Sequence, residues 1–309
     1  MISRTEIQDA GRRIATHARR TPVMALEEKA FGIDARIFLK LECLQHTGSF
    51  KPRGAFNCIL NSNVPLAGVI AASGGNHGAA VAYVAQKLGH HAEIFVPSIT
   101  PPNKIERLKQ YGAAINIIGK NYDEALAASR ERAEKSGAVP IHAYDDQRVL
   151  AGQGTLGMEL EEQVRGLDSV LIAVGGGGLI GGVAAWYQDR VRVISVEPER
   201  APSLHRSMAA GQVVEVETGG VAADSLGARR VGELMFPIAQ KFVAQTVLVT
   251  DDQIIAAQTA LWRHLRLVAE PGGATALAAL LSGAYTPHAG ERVGVVLCGG
   301  NTELSKFPA

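Results

Sequence analysis

Short apolar runs alternate with helical stretches along almost the whole chain, and that alternation leaves few folds open to it. It argues for parallel sheets with helices packed on their faces, an α/β architecture. Gly68-Val69-Ile70-Ala71-Ala72 reads as a buried strand, with a helix from about Asn76 to Leu88 behind it. Ala92–Val96 is the next strand, and the helix after it opens at Pro101-Pro102, where proline's fixed φ suits a first turn. Strands at 114–118 and 139–142 flank a helix at roughly 122–136. The block 68–145 is therefore expected to form a small α/β domain, with 1–67 and 146–309 making a larger, discontinuous one.

In the larger part, a helix near 148–164 precedes a strand at 169–174, a glycine loop, a helix to about Gln188 and a strand at 191–196. Thr250 followed by Asp251 and Asp252 reads as a helix N-cap with acidic first-turn residues. The last strand, 292–297, runs into Cys298-Gly299-Gly300-Asn301. Residues 203–245 show weak periodicity and receive no assignment.

Composition narrows the function classes. With 309 residues, 47% of them hydrophobic, the chain can build two cores. A net charge of +1 sets up no field that would recruit nucleic acid or an anionic membrane. Val170–Tyr187 is uncharged, but its six glycines fit a strand, a turn and a helix better than a membrane span. The N-terminus lacks the layout of a signal peptide, and three cysteines without metal-ligand spacing read as reduced thiols, so a cytoplasmic protein is expected.

Three segments carry chemistry. Gly175-Gly176-Gly177-Gly178, between a strand and a helix, is an anion cradle: its N–H groups converge and the helix adds positive field. Gly176-x-Gly178-x-x-Gly181 also satisfies the dinucleotide fingerprint, with Glu197 placed for a ribose hydroxyl, which keeps a nicotinamide-dependent oxidoreductase open. Ser73-Gly74-Gly75-Asn76-His77-Gly78 is a second anion-ready helix start offering a hydroxyl, an amide and an imidazole. Lys51, between Phe50 and Pro52, is a lysine whose amine can form a Schiff base if held neutral.

Ser49-Phe50-Lys51-Pro52-Arg53-Gly54-Ala55, the Ser73–Gly78 turn, Ala151-Gly152-Gln153-Gly154-Thr155 after His142–Asp146, the four-glycine loop, Glu270-Pro271-Gly272 and Cys298–Asn301 occur in one order. Together, over about residues 20 to 305, they resemble the fold-type-II pyridoxal-phosphate enzymes, whose fold is that of the tryptophan synthase β chain, specifically the serine/threonine dehydratase and serine racemase group. The resemblance implies that Lys51 holds pyridoxal 5'-phosphate covalently with Phe50 against the ring. It further implies that Asn76 bonds the ring's 3-oxygen, that Gly175–Gly178 and the N–H of Leu179 bind the phosphate, that Cys298 faces the pyridine nitrogen and that Glu270 lies on the ring's far side. Ser73, Asn76 and His77 would receive the substrate carboxylate. No regulatory domain is expected after the catalytic part, and a homodimer is.

The reaction this implies is β-elimination on L-threonine or L-serine, giving a 2-oxo acid and ammonia; 3-hydroxyaspartate is a further candidate substrate, and an amino-acid racemase is the alternative. Related racemases carry a serine where this chain has Gly74, which favours elimination. Relatives also hold a divalent cation through a glutamate, a carbonyl and an aspartate. Here Glu197 and Ala201 match, but Ser203 stands in the aspartate's place, so a weakened Mg²⁺ or Ca²⁺ site is expected.

Overall fold

The computed structural model describes residues 1–303, 305 and 307. Helix α1 (Arg4–Ile14) starts at Ser3, which exchanges capping hydrogen bonds with Glu6. Strands β1 (Val23–Ala25) and β2 (Ala35–Lys40) pair antiparallel, and α2 (Lys51–Leu60) follows. Next come β3 (Val69–Ala72), α3 (Asn76–Leu88), β4 (Ala92–Val96), α4 (Pro102–Gln110), β5 (Ala114–Ile117), α5 (Tyr122–Ser136) and β6 (Val139–Pro140). These four strands form one parallel sheet in the order β5-β4-β3-β6. Helix α6 (Gln147–Gln163) leads to β7 (Ser169–Ala173), α7 (Gly178–Tyr187) and β8 (Arg192–Pro198). The chain continues through α8 (Ser203–Ala210), α9 (Ala223–Leu226), α10 (Phe236–Phe242), β9 (Val243–Val249), α11 (Asp251–Leu265), α12 (Pro271–Leu281) and β10 (Glu291–Val296). The larger sheet has the order β1-β2-β10-β7-β8-β9 and is parallel except at β1.

The α/β expectation holds, and the helices at 76–88 and 122–136 fall where the periodicity puts them. The strand expected from Gly68 starts one residue later. Gly68 sits at φ 78°, and a Cβ there would lie 2.0 Å from the His91 carbonyl oxygen, so the position turns the chain into the strand while its carbonyl accepts from Val139 N. The unassigned stretch holds α8, α9, α10 and the start of β9.

Strands β3, β4 and β7 are buried along their full length, as parallel strands covered on both faces must be. Helix α12 is buried from Gly272 to Leu280 and packs on β7 through β10. One buried site is ionic. Arg53 on α2 makes two hydrogen bonds to Glu42 (2.8 and 2.7 Å) and one to Glu159 on α6 (3.0 Å). Lys40, at the end of β2, donates to Glu159, to Gln163 and to the Thr21 carbonyl. Burial pushes the Glu42 carboxyl up, but the Arg53 guanidinium outweighs it and holds the group below the usual carboxylate range. Arg53→Ala leaves Glu42 buried without its partner, and urea unfolding should show a loss of about 3–5 kcal/mol.

Candidate active site

Strand order decides which loops meet. In the large sheet β10 lies between β2 and β7, with Val296 opposite Lys40 and Val295 opposite Leu171. The segments leaving the carboxyl ends of these strands therefore run side by side, which is where α/β sheets bind ligands. They are stitched together: Ser49 bridges Gly299, Phe50 N donates to the Cys298 carbonyl (3.1 Å) and Gly300 N to the Gly48 carbonyl (2.8 Å). That stitching fixes where α2 begins, and Lys51 is its first residue. Across from it lie the carboxyl ends of β3 and β6 in the smaller sheet. The Lys51 ammonium donates to the carbonyl of Ala143, three residues past β6, at 2.9 Å.

Lys51 has no carboxylate within ion-pair distance among the described residues. Burial depresses its amine to about 8, with Cys298 and Glu270 pulling weakly the other way. The Phe50 ring centre is 5.1 Å from the nitrogen. Glu270 is 4% exposed, and burial raises its carboxyl to about 7. The Cys298 thiol is pushed up by burial and donates to the Gly272 carbonyl, so it stays neutral and offers the site only a sulfur lone pair. His77 is held near 3 by burial and by Lys51. Its Nε2 lies 2.9 Å from the Ile141 carbonyl, which can only accept, so the ring is a neutral donor there.

Two helix starts that follow the carboxyl ends of strands lack side-chain caps. Helix α7 begins after Gly177, at φ 86°, and its first-turn N–H groups lack intrahelical partners. Tyr144 lies flat on this loop: a Cβ on Gly176 would be 2.3 Å from its ring and one on Gly178 2.9 Å from its Cβ. Helix α3 begins after Gly75, where Ser73 Oγ accepts from Gly75 N at 3.2 Å. Asn76 donates to Glu270 at 2.6 Å. Lys51, Glu270 and Cys298 are close enough to act on one another, Asn76 joins them through Glu270, and Tyr144, next to the Ala143 carbonyl that Lys51 bonds, packs on the Gly176–Gly178 loop. An uncapped helix start and a depressed amine are the two features a phosphate-bearing carbonyl compound needs.

Glu197 lies apart from this group in function. Its carboxylate accepts the N–H groups of Leu204 and His205, both at 2.7 Å, and the Ser203 hydroxyl at 3.4 Å, so it caps α8. Burial raises it to about 7. No group of three or more His, Cys, Asp or Glu side chains able to hold a metal occurs among the described residues. The Glu197 carboxyl is 0% exposed and already capped by two backbone N–H groups, which weakens it as a ligand to a hard divalent cation and closes it to a ribose hydroxyl. The dinucleotide reading loses its acid. Three contributors escaped the sequence reading. The Ala143 carbonyl has no side-chain signature, Tyr144 works by shape, and Asn301 appears only as the end of a glycine motif.

Residues 14–299 match the family described as pyridoxal-phosphate dependent enzyme. An L-threonine ammonia-lyase from Geobacter sulfurreducens is 38% identical over 98% of this chain and 77% of its own. The structure of maize serine racemase superposes with TM-score 0.93 at 34% identity, covering 98% of this chain and 94% of that one. The processed form of threonine deaminase isoform 2 from Solanum lycopersicum also gives 0.93, at 33% identity over 98% of this chain and 85% of that one.

Two outcomes follow from the buried carboxylates. Glu270 has a folded value near 7 against 4.5 unfolded, so the folded chain holds an extra proton between them. Its neutral form stabilises fully below 4.5, and that contribution is lost as pH rises through 7. Across this window the cofactor-free Glu270→Gln variant should lose less stability than the parent in urea unfolding; equal losses would mean the carboxylate is ionised throughout. For Glu197, Mg²⁺ should leave the melting temperature unchanged, whereas a rise reversed by a chelator would reveal a cation bound to the folded state.

Proposed function

The chain belongs to the pyridoxal-phosphate dependent enzyme family, and from that premise we propose that it is a dehydratase converting L-threonine or L-serine to a 2-oxo acid and ammonia. The carrying observation is the Lys51 amine, lowered to about 8 and set among the strand ends of both sheets. When bound, pyridoxal phosphate supplies the electron sink that makes an amino acid's α-hydrogen removable. The N–H groups at the start of α7 would hold its phosphate, and the Asn76 amide would donate to its ring oxygen. The start of α3 receives the substrate carboxylate through backbone N–H groups and Ser73, with the neutral His77 imidazole keeping α3 against the end of β6. Lys51 would take the α-proton as general base, the β-hydroxyl would leave protonated as water, and hydrolysis of the released enamine would give the 2-oxo acid and ammonia.

A neutral thiol at Cys298 supports this outcome. Facing the pyridine nitrogen, it would not hold a proton there, which favours prompt loss of a β-leaving group over a long-lived carbanion. The same reading takes 68–145 as a domain of its own and the protein as a cytoplasmic homodimer; three unpaired cysteines support a reducing compartment.

Similarity to a serine racemase favours a second reading, in which an acid on the face opposite Lys51 returns the proton. Gly74 provides no side chain there. A Cβ at Gly74 would lie 2.8 Å from the Thr100 methyl, so Gly74→Ser needs Thr100→Ala beside it.

The purified protein should be yellow, and borohydride reduction with peptide mapping should place the pyridoxyl group on Lys51. Lys51→Ala should reduce oxo-acid formation from L-threonine on the order of 10²–10⁴-fold, the scale of a lost general base. Chiral chromatography of the parent's L-serine reaction should show pyruvate with little D-serine, and the Gly74→Ser/Thr100→Ala pair should raise the D-isomer's share. D-serine accumulating as fast as pyruvate in the parent would overturn the dehydratase reading.

A further inference from the structure

The side-chain amide of Asn76 has two faces, a carbonyl and an NH₂, of nearly identical shape, so its orientation must come from its partners. The partners form a chain. Asn301 Nδ2 is 2.7 Å from the Thr47 carbonyl and 2.7 Å from Asn76 Oδ1, and Asn76 Nδ2 is 2.6 Å from Glu270. Donors and acceptors are ordered outward from Thr47. A backbone carbonyl only accepts, so the end of Asn301 that faces it is the NH₂. The same nitrogen has no acceptor capacity, so Asn76 presents its carbonyl to it. The Asn76 NH₂ then points toward Glu270, one hydrogen used there and the second left for a ligand. Thr47 itself is anchored: it sits at φ 57°, unfavourable for a β-branched residue, and its carbonyl takes a second donor from Arg107 at 2.6 Å.

We propose that Asn301 is a positioning residue that fixes the Asn76 amide with its NH₂ toward the cofactor's anionic ring oxygen. This rests on the reading of Asn76 against that oxygen. With the amide turned, a carbonyl would face the oxyanion and the bond would become a repulsion.

The experiment compares Asn301→Asp, Asn301→Ala and Asn76→Ala in pyridoxal-phosphate affinity and in the pH titration of the bound cofactor's visible absorbance. Asp keeps the shape but reverses donor to acceptor, which draws the Asn76 NH₂ away from the cofactor. Ala merely frees the amide to choose. Asn301→Asp should therefore weaken cofactor binding on the order of tenfold or more and shift the absorbance titration, with Asn301→Ala clearly milder. A role in packing alone would give the reverse order, since Ala removes more contact. Equal or greater loss in the alanine variant overturns the proposal. An Asn76→Ala variant with unchanged affinity and spectrum would instead sink the underlying placement of Asn76. Should Asn301→Asp not fold, it is combined with Glu270→Gln, whose amide gives the turned Asn76 carbonyl a donor. That protein should fold yet bind the cofactor more weakly than Glu270→Gln alone, and affinity equal to that reference would overturn the inference.

Discussion

The Arg53 guanidinium is clamped between Glu42 and Glu159 in a region closed to water, two residues past Lys51. Moving such ions out of water is costly, and only their mutual hydrogen bonds offset it. The arrangement therefore tolerates no half-formed version. The first turn of α2, the segment after β2 and the middle of α6 must all arrive in register for any one of them to be stable. Lys51 owes its position to that requirement together with the backbone stitching of residues 48–50 to 298–300.

The same helix turn holds two cations in opposite electrostatic states. Arg53 has carboxylates on two sides and is held more firmly charged than a free arginine. Lys51 meets a carbonyl, an aromatic ring and burial, and its amine is depressed to about 8. Structural demand and chemical demand are met by charge pairing in one case and by its denial in the other. Glycine plays a comparable double part at the loop after β7. There Tyr144 excludes any Cβ from one side, while the uncapped start of α7 offers its N–H groups on the other.

Much of this was legible in the chain. Strands buried on both faces announce themselves as apolar runs, and glycine-rich turns between strand and helix mark anion sites whatever the fold. Strand β9 was not legible because it is an edge strand with Ala244 and Gln245 exposed and an irregular register against β8, so it carries neither an unbroken apolar run nor a clean alternation. Helix α9 spans four residues, too few to show a period. Glu197 is ambiguous for a different reason. A glutamate at a strand end reads alike whether it binds a cation, a ribose or a helix start, and only the position of α8 decides. Asn301 and the Ala143 carbonyl act through partners far away in sequence, a relation that local pattern does not carry.

Strand β10 occupies the middle of the large sheet although it is the last strand in the described chain. Until it inserts, β1–β2 and β7–β8–β9 are two separate pieces with raw edges facing each other. The smaller sheet has all its strands between residues 69 and 140 and depends on no such late arrival. On a ribosome the smaller sheet can close early, while the larger one stays divided until residues 291–296 emerge. The amine at position 51 is thus kept from the completed large sheet until a strand far downstream of it has been made.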